Sequence, residues 1–144
     1  MLNKVLVVND NELLLMIAKK MIEISNFAEE TITATNGLEA IEYFEDLLQN
    51  ETDPSSKAPE FMFLDLHMPT MDGWEFLEVF TEKYGKHFPN LKIAILSASV
   101  DMQEMLMLVK YPIVIDFVST PINEEVLNAV KAKFYASQYQ KISS

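Results

Sequence analysis

The chain contains no cysteine and no arginine. The first absence excludes disulfides and thiolate metal sites. The second leaves eleven lysines as the only fixed side-chain cations against 22 acidic residues, for a net charge of −11. Such a surface repels nucleic-acid phosphates and anionic membranes, and no basic face is visible for binding DNA. No apolar run approaches the roughly 20 residues needed to span a bilayer. Met1-Leu2-Asn3-Lys4 leads into a short apolar run that ends at Asn9-Asp10 without a small-residue cleavage site, which makes a poor signal peptide. The expectation is a cytoplasmic protein with neither nucleic-acid nor membrane partners.

The sequence suits one domain. Its 144 residues are 49% apolar, enough for one core with little room for a second. A single unit over 1–144 is expected, with a core from about 4 to 135 and a helical tail. Lys4-Val5-Leu6-Val7-Val8 reads as a strand buried on both faces. Leu14, Ile17, Ala18, Met21 and Ile22 follow helical spacing. Thr31–Ala34 reads as a weaker strand suited to a sheet edge. Asn36 and Glu39 suit the start of a second helix. From Gln49 to Pro59 the apolar pattern stops, and the turn-forming residues there predict an exposed loop.

Phe61–Leu64 forms a third strand and delivers Asp65 at its end. Gly73 opens a third helix, with Phe76, Leu77, Phe80 and Tyr84 on one side. Ile93–Leu96 is a fourth strand ending at Ser97, and a fourth helix covers Asp101–Lys110. Ile113–Val118 is a fifth strand, and a last helix starts near Ile122. Alternation of this kind predicts an α/β protein, a doubly wound five-stranded parallel sheet with helices on both faces. In such sheets ligands collect at the carboxyl ends of the strands.

Those ends offer Asn9-Asp10, Asp65, Ser97 and Thr120-Pro121. Two carboxylates brought together are costly unless a cation sits between them. With backbone carbonyls and waters, Asp10 and Asp65 suit a hard octahedral ion such as Mg²⁺. A carboxylate beside Mg²⁺ is a competent nucleophile toward phosphorus. The Ser97 hydroxyl can donate to a phosphoryl oxygen. A competing role for Asp10 is to cap the first helix, and one for Ser97 is to cap the helix that follows it.

The run Leu64-Asp65-Leu66-His67-Met68-Pro69-Thr70-Met71-Asp72-Gly73 resembles the phosphorylation loop of response-regulator receiver domains. Val7-Val8-Asn9-Asp10 resembles the acidic pair after their first strand. Ala34-Thr35-Asn36-Gly37-Leu38-Glu39-Ala40 resembles the start of their second helix. Ile95-Leu96-Ser97-Ala98 and Phe117-Val118-Ser119-Thr120-Pro121 resemble the ends of their fourth and fifth strands. Together the landmarks cover roughly residues 4 to 135 in order.

The resemblance implies a flavodoxin-like fold with strand order 2-1-3-4-5. It implies Asp65 as phosphoacceptor, with Asp10, Asp65 and the His67 backbone carbonyl holding Mg²⁺. It also implies Ser97 as the switch hydroxyl, Phe117 in the switch-aromatic position and a cis bond before Pro121. The implied partners are a histidine kinase or phosphotransfer protein and a downstream protein, with the chain a monomer or weak dimer. The resemblance further implies a signalling module rather than a turnover enzyme. A haloacid-dehalogenase-type phosphatase needs a second Asp two residues after the nucleophile, and His67 stands there instead.

Two positions depart from the pattern. Asn9 replaces an acidic residue; its amide can orient a metal-bound water but adds no charge, so weak Mg²⁺ binding is expected. Thr120 replaces the Lys before the fifth-strand proline, and a neutral hydroxyl is no substitute for that charge. The alternative is therefore a phosphorylation-independent pseudo-receiver that acts as an interaction module. His67 and His87 are lone histidines without partners at ligand spacing. Met102, Met105 and Met107 read first as core filling, while exposed Met107, Tyr111 or Tyr135 would serve a partner surface.

Overall fold

The computed structural model describes residues 1–97, 99 and 101–143, with side chains as far as residue 138. Strand β1 (Leu2–Val8) is followed by helix α1 (Glu12–Ile24), strand β2 (Ala28–Ala34) and helix α2 (Gly37–Asn50). A one-turn helix α3 (Pro54–Lys57) precedes strand β3 (Phe61–Asp65). Helix α4 (Gly73–Val79) continues as a π-turn over Phe80–Tyr84 and a 3₁₀ turn over Gly85–His87. Then come strand β4 (Lys92–Ser97), helix α5 (Met102–Leu108), strand β5 (Val114–Ser119) and helix α6 (Glu124–Ser143). The five strands are parallel in the order β2-β1-β3-β4-β5, the expected flavodoxin-like α/β arrangement.

Strand alternation divides the core in two. Leu6, Val8, Met62 and Leu64 face one side, against Phe44 of α2, Phe76 of α4 and Leu108 of α5. Val5, Val7, Phe61 and Phe63 face the other, against Leu15 and Ile22 of α1 and Leu127, Val130 and Phe134 of α6. The central strands are therefore apolar on both faces over Val5–Val8, Phe61–Leu64 and Ile93–Leu96, which is why they read as continuous runs. Phe44 meets Phe80 and Phe88 with ring centroids 5.0 Å apart in each case, in tilted geometries that aromatic rings favour.

The two edge strands carry charge. On β2, Glu29 and Glu30 are exposed. On β5, Asp116 is buried and its Oδ1 accepts from Lys133 Nζ of α6 at 2.7 Å and from the Phe117 amide at 2.8 Å.

The stretch expected to be an exposed loop from Gln49 to Pro59 is more structured than its composition suggests. The α2 helix runs on to Asn50 before the turn of α3 begins. Pro54 occupies the first turn of α3, where its missing N–H costs nothing. Lys4 Nζ of β1 donates to the Lys57 carbonyl at 2.7 Å, tying this turn to the sheet. Another expectation also changes: Met102, Met105 and Met107 are all exposed, and Leu108 is the buried residue of α5. These methionines do not fill the core.

Candidate functional site

At the carboxyl end of β1, Asn9 is 3% exposed. Its amide N–H donates to the Ala34 carbonyl at 3.1 Å, and its Oδ1 accepts the Asn11 N–H at 2.8 Å. The side chain therefore braces the turn from β1 into α1. The cap of α1 is Asn11, whose Oδ1 accepts the Leu14 N–H at 3.1 Å. Asp10 is not that cap; it is exposed and lines the cleft above the sheet.

At the end of β3, Asp65 is half-buried and its Oδ1 accepts the His67 N–H at 3.1 Å. Burial pushes its carboxyl above the usual aspartate range, and the negative charge of Asp10 adds to this. The His67 and Leu66 amides and the His67 side chain pull the other way. A carboxylate poorly solvated beside a second carboxylate is a group with an unmet demand for positive charge.

The loop after Asp65 is held from beneath. The Gly73 N–H donates to the Leu66 carbonyl at 3.0 Å, and the Gly37 N–H donates to the Met71 carbonyl at 2.8 Å. Both contacts need a bare Cα: a Cβ on Gly37 would lie 2.9 Å from the Met71 oxygen. Asp72 and Glu75 form a reciprocal capping box at the start of α4. Within the loop Thr70 has φ 70°, a left-handed conformation that is costly for a β-branched residue.

At the end of β4, Ser97 Oγ donates to the Ser99 carbonyl and accepts the Ser99 N–H at 3.1 Å. The next residue of that motif, Ala98, lies outside the described residues. At the end of β5, Thr120 reaches the cleft and its bond to Pro121 is cis. Phe117 is 38% exposed on the outer side of β5.

These ends enclose a cleft of about 370 Å³. The structure thus brings Asn9, Asp10, Asp65, His67, Ser97 and Thr120 to one place. Phe117 stands apart from it, beside a smaller depression lined also by Ser97 and Met105. A second depression of similar size, about 380 Å³, is lined in part by Glu60, Leu91 and Phe134 and gathers no pair of carboxylates.

Among the described residues no lysine lines the cleft, so none of them replaces the charge missing at Thr120. Among the described residues no group of three or more His, Cys, Asp or Glu side chains is arranged to hold a metal. Two aspartates plus backbone oxygen, rather than a three-side-chain cage, is the donor set available. It fits a hard, largely hydrated cation such as Mg²⁺.

Sequence reasoning missed Glu104. Its Oε2 lies 3.1 Å from His67 Nε2, at the rim of the cleft. No sequence signal pairs these two, because their meeting depends on how α5 lies across the strand ends.

Residues 5–131 match the response regulator receiver domain family. A comparison with curated protein sequences finds no match. A two component response regulator from Cytophaga hutchinsonii superimposes with a TM-score of 0.82 at 22% identity, covering 94% of this chain and 98% of that one. A CheY-like receiver domain protein from Methanospirillum hungatei JF-1 gives 0.73 at 20% identity, covering 97% and 99%. The chemotaxis response regulator CheY4 of Vibrio cholerae gives 0.70 at 19% identity, covering 93% and 99%. These likenesses carry the fold, and the family match carries the assignment: the chain belongs to the response regulator receiver domain family of two-component systems.

Proposed function

We propose that this chain accepts a phosphoryl group on Asp65 from a histidine kinase or phosphotransfer protein and signals by protein–protein contact. The observation that carries the reading is the Asp65 carboxylate itself. It is half-buried beside Asp10, pushed up in pKa and open to the cleft. In the transfer an Asp65 oxygen bonds to phosphorus as the donor's P–N bond breaks, and the released imidazole keeps the electron pair and takes up a proton.

Asp10, Asp65 and the His67 carbonyl would hold Mg²⁺, which when bound offsets charge on the phosphoryl oxygens. Asn9, braced on Asn11, would contribute at most through a water. Ser97 would exchange its bond to Ser99 for one to a phosphoryl oxygen, and Phe117 would respond at the neighbouring strand position. The chain would act as one receiver unit, a monomer or weak dimer, with no catalytic turnover and no nucleic-acid or membrane partner. Among the described residues no helix is long and apolar enough to cross a membrane; a cytoplasmic location is part of the proposal.

The face around α5, β5 and α6 exposes Met102, Leu106, Met107, Phe117 and Tyr135. Exposed apolar groups in such number mark a contact surface, and we assign the downstream protein to it.

The absence of lysine from the cleft's lining among the described residues favours one second reading, a pseudo-receiver that binds its partner without phosphate. Intact mass after incubation with acetyl phosphate and Mg²⁺ separates the two. A single phosphoryl adduct on the wild type and none on Asp65→Asn supports phosphoryl acceptance. No adduct under conditions that label an ordinary receiver leaves the pseudo-receiver.

A further inference from the structure

The phosphoacceptor loop and α5 are distant in sequence, yet one side-chain contact joins them. His67 Nε2 lies 3.1 Å from Glu104 Oε2. The acceptor side of the contact is well covered: the Glu104 side chain is 18% exposed, against 65% for His67. A carboxylate so shielded from water depends on the donor it meets.

The rest of α5 is thinly anchored. Leu108 is its buried side chain, while Met102, Leu106 and Met107 face solvent. Its first turn is closed locally by Asp101, whose Oδ1 accepts the Glu104 N–H at 2.8 Å. A seven-residue helix with one buried side chain sits at the low end of local stability, so a single tertiary polar contact weighs heavily in fixing it.

His67 also belongs to the cleft and is two residues from Asp65, whose carboxylate its backbone N–H already meets. Among the described residues it is the one cleft-lining side chain able to carry positive charge. A phosphoryl group on Asp65 would bring three strong acceptor oxygens into that cleft. Two acceptors would then compete for one imidazole: Glu104 from the side of α5 and the phosphoryl oxygens from the side of β3.

We propose that the His67–Glu104 contact is a latch between the phosphoacceptor loop and α5, released when a phosphoryl group on Asp65 draws the His67 imidazole away from Glu104. The proposal rests on the phosphoryl-accepting reading of Asp65. Its consequence is specific: α5, with its exposed methionines, loosens or shifts when the chain is phosphorylated. The route needs no lysine at position 120.

Amide hydrogen exchange on the full chain tests it, read for residues 104–109. Glu104→Gln and His67→Phe, which retains a ring but no donor, should each speed exchange there by roughly five-fold. The double variant should be no faster than either single one, because both lose the same contact. Acetyl phosphate with Mg²⁺ should speed exchange over the same residues in the wild type and add nothing in Glu104→Gln.

Unchanged exchange in the two single variants, or additive effects in the double one, overturns the latch. So does a phosphoryl adduct, seen by intact mass, that leaves α5 exchange as it was; in that case the phosphoacceptor reading stands alone. Absence of any adduct overturns both, and the mass measurement is independent of the exchange measurement.

Discussion

Gly73 lies so close to Asp65 that a Cβ on it would sit 2.5 Å from the Asp65 carbonyl oxygen. It would also lie 2.8 Å from the Leu66 Cα, so backbone on both sides would have to move. Gly73→Ala should therefore displace the phosphoacceptor itself. We expect a loss of about 2 kcal/mol in stability, as for overpacked cores, together with loss of acetyl phosphate labelling. Denaturant unfolding reads the first and intact mass the second; a variant of wild-type stability and labelling would contradict the packing argument.

The position of Asp65 also sets a pH dependence. Its pKa is raised in the folded chain, by burial first and by Asp10 second. A carboxyl that holds its proton more tightly when folded adds stability at low pH and loses it as pH rises through the folded value. The ionised group is then a net cost at pH 7. Asp65→Asn should be more stable than the wild type at neutral pH. The advantage should shrink as pH falls and vanish below the ordinary aspartate value of 3.8. Paired thermal unfolding curves across this range show the sign directly, and a destabilised Asn variant at pH 7 would refute it.

Asn9 braces its turn through Oδ1, an atom that aspartate also has. Asn9→Asp therefore keeps the Asn11 bond and adds charge at the cleft. Mg²⁺ affinity should rise by roughly five-fold or more, measured by calorimetric titration. An unchanged affinity would mean that position 9 does not sense the bound ion.

Thr120 faces the same cleft, in which no lysine stands among the described residues. Thr120→Lys should speed labelling by acetyl phosphate by about ten-fold, since a fixed cation there would offset charge on the transferring group. A time course of intact mass follows it. A slower variant would indicate that the cleft has been rebuilt around the neutral residue.

The contrast between Asp65 and Glu104 shows what the sequence alone can carry. Asp65 was legible because an apolar strand, a turn and a capped helix start stand around it in fixed order, each with its own local physics. The parallel sheet was legible for a related reason: β1, β3 and β4 are apolar on both faces and alternate with helical spacings. The α3 turn was hidden because Pro, Ser and Asp favour exposed loops and first turns of helices alike. Asn11, and not Asp10, caps α1: Asx residues at adjacent positions offer the same chemistry, and only backbone geometry chooses between them. Glu104 left no trace at all, since its partner is set by how two elements pack and not by spacing within either.

The charges on the outer strands bear on how copies of this chain meet. Glu29 and Glu30 stand along β2, and Asp116 is folded inward on β5 against Lys133. Another strand laid along either margin would have to pass charged side chains, two glutamates on one and an ion pair on the other. Both margins are thus poor templates for strand addition, which guards a chain with nearly half apolar residues against sheet-driven aggregation when it is crowded. Self-association, where it occurs, is directed to the helical faces, the same surfaces that a phosphoryl signal would reshape.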